Sequence, residues 1–240
     1  MEFAITNVPT WVSILFIISF ITPIYLIATV SKKAYLNAGK NKKEAKRIYR
    51  NMYVFYVIYL LGVAALSFFG AFTKNTLPPL ILICTTLPLL LFYFLYVKRS
   101  SWFKTILENI PLADLVRIHL FRFVGIFFFI NYHYDTLPKQ FAYTGGGGDI
   151  LTAVLAILVI YALNSRRKYA VSLTWIWNFI GLLDILSVLG TAVFITRTAI
   201  ATGGEGVAQF GTFPFSWIPA FAPATIVFLH VVIFEQLKKA

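Results

Sequence analysis

The sequence predicts an all-α fold, a polytopic transmembrane bundle of seven helices that forms one domain over residues 1–240. Three observations predict it. Hydrophobic residues make up 59% of the chain and charged residues 12%, about half the charge of an ordinary soluble domain. Mean hydropathy is +0.79, and the apolar residues fall in blocks of the length that crosses a bilayer, about 20 residues as helix. The basic residues, finally, lie between alternate blocks, as loops on one side of a membrane would place them.

The blocks run over 11–30, 52–72, 79–97, 113–131, 149–163, 171–195 and 219–237. No Lys or Arg precedes the first, so it reads as a retained helix rather than a secretory signal. Between the first two lies the basic run from Lys32 to Arg50. Lys98, Arg99 and Lys104 follow the third block, Arg166 to Lys168 the fifth, and Lys238 and Lys239 the last. Sixteen of the 21 basic residues thus share one side. Positive-inside bias makes that side cytoplasmic, with the N-terminus outside and the C-terminus inside, as an odd number of crossings requires. The net charge of +12 is then a topology signal with some attraction to anionic lipid. Nucleic-acid binding is excluded, because that function gathers its basic residues on a soluble face.

Within this frame several segments have ordinary readings. The fifth block is short, about 22 Å of helix, and follows the glycine run 145–148. That run reads as an outer loop with Asp149 as helix cap, or as a non-helical entry into the outer leaflet. Residues 100–110 read as a short surface helix. The loop 197–218 ends in Phe210, Phe213, Phe215 and Trp217, expected at the membrane interface. Tyr53, Tyr56 and Tyr59 read as part of an aromatic belt. The single cysteine, Cys84, excludes an internal disulfide, a cysteine zinc cluster and covalent haem attachment. The last helix has no internal lysine, which disfavours a retinal Schiff base.

Ionisable groups inside a span are costly and mark candidate sites. Asp114 and Arg117 lie near the basic end of the fourth helix and can reach the interface. Arg122 cannot, and His119 stands three residues before it on the same face. The sixth helix has a small and polar side at Thr174, Asn178, Gly181, Asp184, Ser187 and Thr191. Most of that side fits a packing seam, but a carboxylate does not. His230 stands alone in the seventh helix. Counting from the outer helix ends puts Arg122 at ~14 Å, Asp184 and His230 at ~17 Å, His119 at ~18 Å and Asn178 at about 25 Å. Arg122 and Asp184 are therefore expected to pair, with helices four, six and seven facing one another.

The sequence His119-Leu-Phe-Arg122-Phe-Val-Gly125, then Gly148-Asp149, Asn178-x-x-Gly181-x-x-Asp184, Phe213-Pro214 and His230, resembles a bacterial inner-membrane family of unknown function, over roughly residues 112–237. The resemblance implies residence in the bacterial cytoplasmic membrane and a shared site around Arg122, Asn178, Asp184 and His230. It implies no activity.

Four readings remain open. The first is an intramembrane site, drawn from Arg122, Asp184, His230, Asn178, His119 and Asp149, that binds, senses or translocates a small solute, ion or proton. It needs no cofactor, and its partners are the bilayer and the ligand. The second is b-type haem held by His119 and His230 at one depth. The third is an intramembrane enzyme, for which no constellation has its full set of roles. In the fourth, the Arg122–Asp184 pair only fixes helix registry.

Overall fold

The computed structural model describes residues 6–204 and 206–239. It is all-helical among those residues, with eight helical rods. α1 spans Thr10–Asn37 and α2 Lys42–Phe68. The third rod winds as π-helix over Leu82–Thr86, as α3 over Leu87–Phe92 and as π-helix again over Tyr93–Val97. α4 (Ser101–Asn109) meets this rod at 86°. The next rod, residues 112–133, comprises α5 (Leu112–Ile118), a 3₁₀ segment (His119–Gly125) and α6 (Ile126–His133). α7 (Lys139–Phe141), a π segment (Ala142–Gly147) and α8 (Gly148–Asn164) form one further rod. α9 (Ala170–Thr202) and α10 (Trp217–Leu237) complete the bundle.

Five helices are long and apolar enough to cross a membrane, and a sixth if the bent pair of third rod and α4 is one span. The protein is accordingly a multi-pass membrane protein. Its surface carries the apolar side chains that lipid accepts and water does not, among them Ile58, Leu61, Ile176 and Phe179. α10 is the central post, with most of its length buried. α2 and α9 lie at the periphery, with 22% and 28% of their apolar stretch buried.

Hydropathy marks the apolar centres of these rods and misses their ends. α2 starts ten residues before the expected block, because its first turns are charged and amphipathic, with Asn41 accepting from the Glu44 amide as cap. α9 runs to Thr202, and its 33 residues give about 50 Å of helix, more than a bilayer needs. The short helix expected over 100–110 is α4.

Two expectations are corrected. The glycine run is neither loop nor non-helical entry: residues 142–147 wind as π-helix and feed straight into α8. Apolar surroundings leave the backbone no water to bond, so even a glycine-rich stretch is driven to bond internally. Asp149 therefore caps nothing. The aromatics before α10 are not an interfacial girdle either. Phe210, Phe215 and Trp217 are buried, with Phe16 packed on Phe215 at 4.8 Å and the Trp217 indole donating to the Leu60 carbonyl at 3.0 Å. They plug the end of the bundle remote from the basic residues.

Candidate functional site

The 3₁₀ segment in the middle of the fifth rod positions the candidate site. With three residues per turn, side chains three apart eclipse one another, so His119 and Arg122 leave the rod in one direction. Both are buried, as are Asn178 and His230. The rod lies against α8, with α9 and α10 closing round the same side chains.

Arg122 extends its guanidinium into the space between these helices. Its Nε donates to Asp149 Oδ1 of α8 at 2.7 Å. Nη2 donates to Asp184 Oδ2 of α9. Nη1 donates to the Gly181 carbonyl at 3.2 Å and lies 3.5 Å from His230 Nε2 of α10. A planar, five-donor guanidinium can serve three helices at once, which a lysine ammonium could not do in this geometry.

His230 is oriented from its other side. Asn178 Nδ2 donates to the His230 carbonyl at 3.0 Å, which turns Asn178 Oδ1 toward His230 Nδ1 at 2.7 Å. Nδ1 therefore carries the hydrogen, and Nε2 presents its lone pair to Arg122. The Trp177 indole donates to the Thr152 carbonyl at 3.0 Å and packs edge-on against His119 at 5.1 Å. Neither ring nitrogen of His119 has a hydrogen-bond partner among the described residues.

Three glycines make this density possible. A Cβ at Gly148 would fall 1.6 Å from Asp184 Oδ1. One at Gly125 would fall 2.7 Å from the Asp149 Cβ, and one at Gly181 would fall 2.6 Å from His230 Cε1. Each glycine of the motif thus makes room for a polar side chain on a neighbouring helix: Gly125 for Asp149, Gly148 for Asp184, Gly181 for His230. Small residues let membrane helices approach closely, and here the approach delivers charge to charge.

All six residues singled out from the sequence meet in one cluster. Asn178 meets His230 although the depth count separates them by about 8 Å; α9 overruns the bilayer length, so counting from its end overstates depth. Asp149 is among the six, but its helix, α8, joins the three expected to face one another, because Asp149 lies inside a continuous rod and not at a helix start. Trp177 was missed, since nothing separates an indole facing a site from any other apolar side chain in a span. Asp114, expected at the interface, is buried and salt-bridged to Lys33 at 2.6 Å and to Arg117. This second ionic group ties α5 to α1 at the basic end.

The residues do not fit haem. The His119 and His230 rings are in contact, centroids 4.3 Å apart at 40°, and Trp177 packs against both. No slot for a macrocycle separates them, and His230 already engages Asn178 and Arg122. Among the described residues no three His, Cys, Asp or Glu side chains are grouped to hold a metal ion.

Fold and site together define a helical multi-pass membrane protein with a compact charged cluster in its interior. The chain belongs to the family described as a domain of unknown function (DUF8737), whose profile matches residues 77–238 and so takes in every member of the cluster. No curated protein and no solved structure matches the chain.

Proposed function

We propose that the Arg122 cluster is an intramembrane site that binds and passes on a proton or a small cation. On this reading the protein is a seven-crossing transporter of the bacterial cytoplasmic membrane, N-terminus outside, with residues 112–133 as the crossing broken by its 3₁₀ segment. One observation carries the reading. A single buried guanidinium is shared by two carboxylates, Asp149 and Asp184. Their formal charges sum to one negative, and an uncompensated charge in apolar surroundings is expensive. The cluster becomes neutral by taking one proton on a carboxylate, or one small cation beside the pair. Asp149 and Asp184 keep 11% and 12% of their side-chain surface accessible, whereas Arg122 has none, so the carboxylates are where an incoming charge can arrive.

The test uses proteoliposomes with an internal pH dye and an imposed potassium diffusion potential. The wild type is expected to acidify the lumen, and Asp184→Asn and Arg122→Ala to abolish this while still inserting. Equal acidification by all three would overturn the reading. The registry alternative draws on the glycine interlock and is separated by the same variant. Asp184→Asn keeps the side-chain volume and a hydrogen-bond acceptor for Arg122, so a merely structural cluster would leave function intact.

A further inference from the structure

At the basic end of the bundle lies a cavity of about 270 Å³ between α1, α2, the third rod, α4, α5 and α10. It is separate from the Arg122 cluster, and its wall is overwhelmingly apolar. α4, turned 86° from the third rod, lies across the basic end and closes the cavity there with Trp102, Phe103 and Ile106. Gln236 donates to the Leu107 carbonyl at 2.6 Å and Asn37 to the Asn109 carbonyl at 3.2 Å, which fastens this floor to α10 and α1. The exposed members of the wall are Asn51 and Phe55, both on α2. The cavity therefore opens sideways, between α2 and the third rod, where the Phe55 ring is stacked on Phe92 at 5.0 Å.

Two features of this opening define what it accepts. The first is charge. α2 begins with Lys42, Lys43, Lys46, Arg47 and Arg50, all exposed and none in an ion pair among the described residues, against the single acid Glu44. Arg47 is one turn from Asn51 on the same face. The second is a buried hydrogen-bond donor. Tyr93 donates its hydroxyl hydrogen to Tyr56 at 3.1 Å, so its 3.0 Å contact with Thr225 Oγ1 is one in which it accepts. Tyr56 keeps its own hydrogen, and no acceptor faces it among the described residues. Tyr56 stands about 7.5 Å further along α2 than Asn51.

We infer that this cavity binds one anionic phospholipid from the leaflet on the basic side, entering between α2 and the third rod. The phosphate lies against Asn51, Arg47 and Arg50. An ester carbonyl, which in a phospholipid sits below the phosphate toward the chains, accepts from Tyr56. One acyl chain fills the apolar interior beside Leu115, Ile118 and Leu229. Basic clusters at a membrane surface attract anionic head groups in this way, and the tyrosine donor supplies a contact at a defined depth that a merely adsorbed lipid would not have.

The test is native mass spectrometry of the full chain released from micelles containing equal phosphatidylglycerol and phosphatidylcholine. The expected result is a single phosphatidylglycerol adduct that outlasts any phosphatidylcholine adduct. Met52→Trp, which fills the cavity, should remove it. Tyr56→Phe, which leaves packing intact, should weaken it by about three- to tenfold, the worth of one hydrogen bond. Replacing Arg47 and Arg50 by Gln should erase the preference between head groups. Glycerol phosphate alone should not bind. Equal retention of both lipids, an adduct indifferent to both Met52→Trp and Tyr56→Phe, or binding of glycerol phosphate alone would each overturn the proposal.

Discussion

The two halves of the bundle solve the same problem in opposite ways. Around Arg122 the fifth rod, α8, α9 and α10 close until no room for a methyl group remains at Gly125, Gly148 or Gly181. At the basic end α2 and the third rod meet through large rings, Phe55 on Phe92 and Tyr56 beside Tyr93, and a cavity of about 270 Å³ is left behind them. Both regions are built from predominantly apolar helices. What differs is side-chain size at the contact. Glycine brings backbones together and permits charges to be buried against one another; aromatic residues hold the helices apart and leave space. Close packing is thus a property of particular positions in this protein, not of its general hydrophobicity.

The sharpest way to break the comparison is to remove the charge that the close half encloses. Arg122→Met leaves Asp149 and Asp184 facing one another without a cation. Stranding one side of a buried ion pair costs about 3–5 kcal/mol, so thermal unfolding in detergent should fall by roughly ten degrees. Adding Asp149→Asn and Asp184→Asn to that variant should recover most of the loss. No recovery would mean that Arg122 contributes by its shape rather than its charge.

Gly148→Ala comes next. The new Cβ would collide with Asp184 Oδ1, which is the mobile end of a side chain, so Asp184 should leave Arg122 while the fold survives. A loss of about 1–3 kcal/mol is expected, the cost of a buried group left without its partner. Asp114→Asn should cost less, about 1 kcal/mol or below, because Lys33 and Arg117 are 54% and 36% exposed and water can replace the carboxylate. Smallest of all, Gly62→Ala and Gly147→Ala meet nothing within 4 Å. They should be neutral or stabilise by about 0.5–1 kcal/mol. If Gly148→Ala behaved like Gly147→Ala in the same melting experiment, the interlock would be refuted.

The sequence made the close half more legible than the open one. Arg122 and Asp184 announce themselves because a charge in an apolar span has few explanations, and the regular rise of a helix brings them to nearly one depth. Asp149 is a candidate in the sequence too, but its place inside a continuous helix is not legible there. Four successive glycines read as a helix breaker in water, yet without water their backbone winds as helix and carries Asp149 inward. Gly125, Gly148 and Gly181 are visible in the motif, but which neighbour each admits depends on how the helices are paired, and no single-helix periodicity encodes that. The cavity was illegible for the same reason. Tyr56 and Tyr93 belong to different rods, and a ridge of tyrosines at a helix end looks alike whether it faces lipid or a neighbour. Nor does hydropathy see the first ten residues of α2, whose charges hide a helix that the Asn41 cap begins.

The central claim is that the Arg122 cluster takes up one proton to become neutral, and pH-difference infrared spectroscopy of the protein in lipid tests it most directly. Between about pH 5 and 8, where a proton taken up must be exchanged to be useful, a protonated-carboxyl stretch is expected in the wild type and is lost in Asp149→Asn or Asp184→Asn. A difference spectrum without that band, and identical in the wild type and both variants, would contradict it.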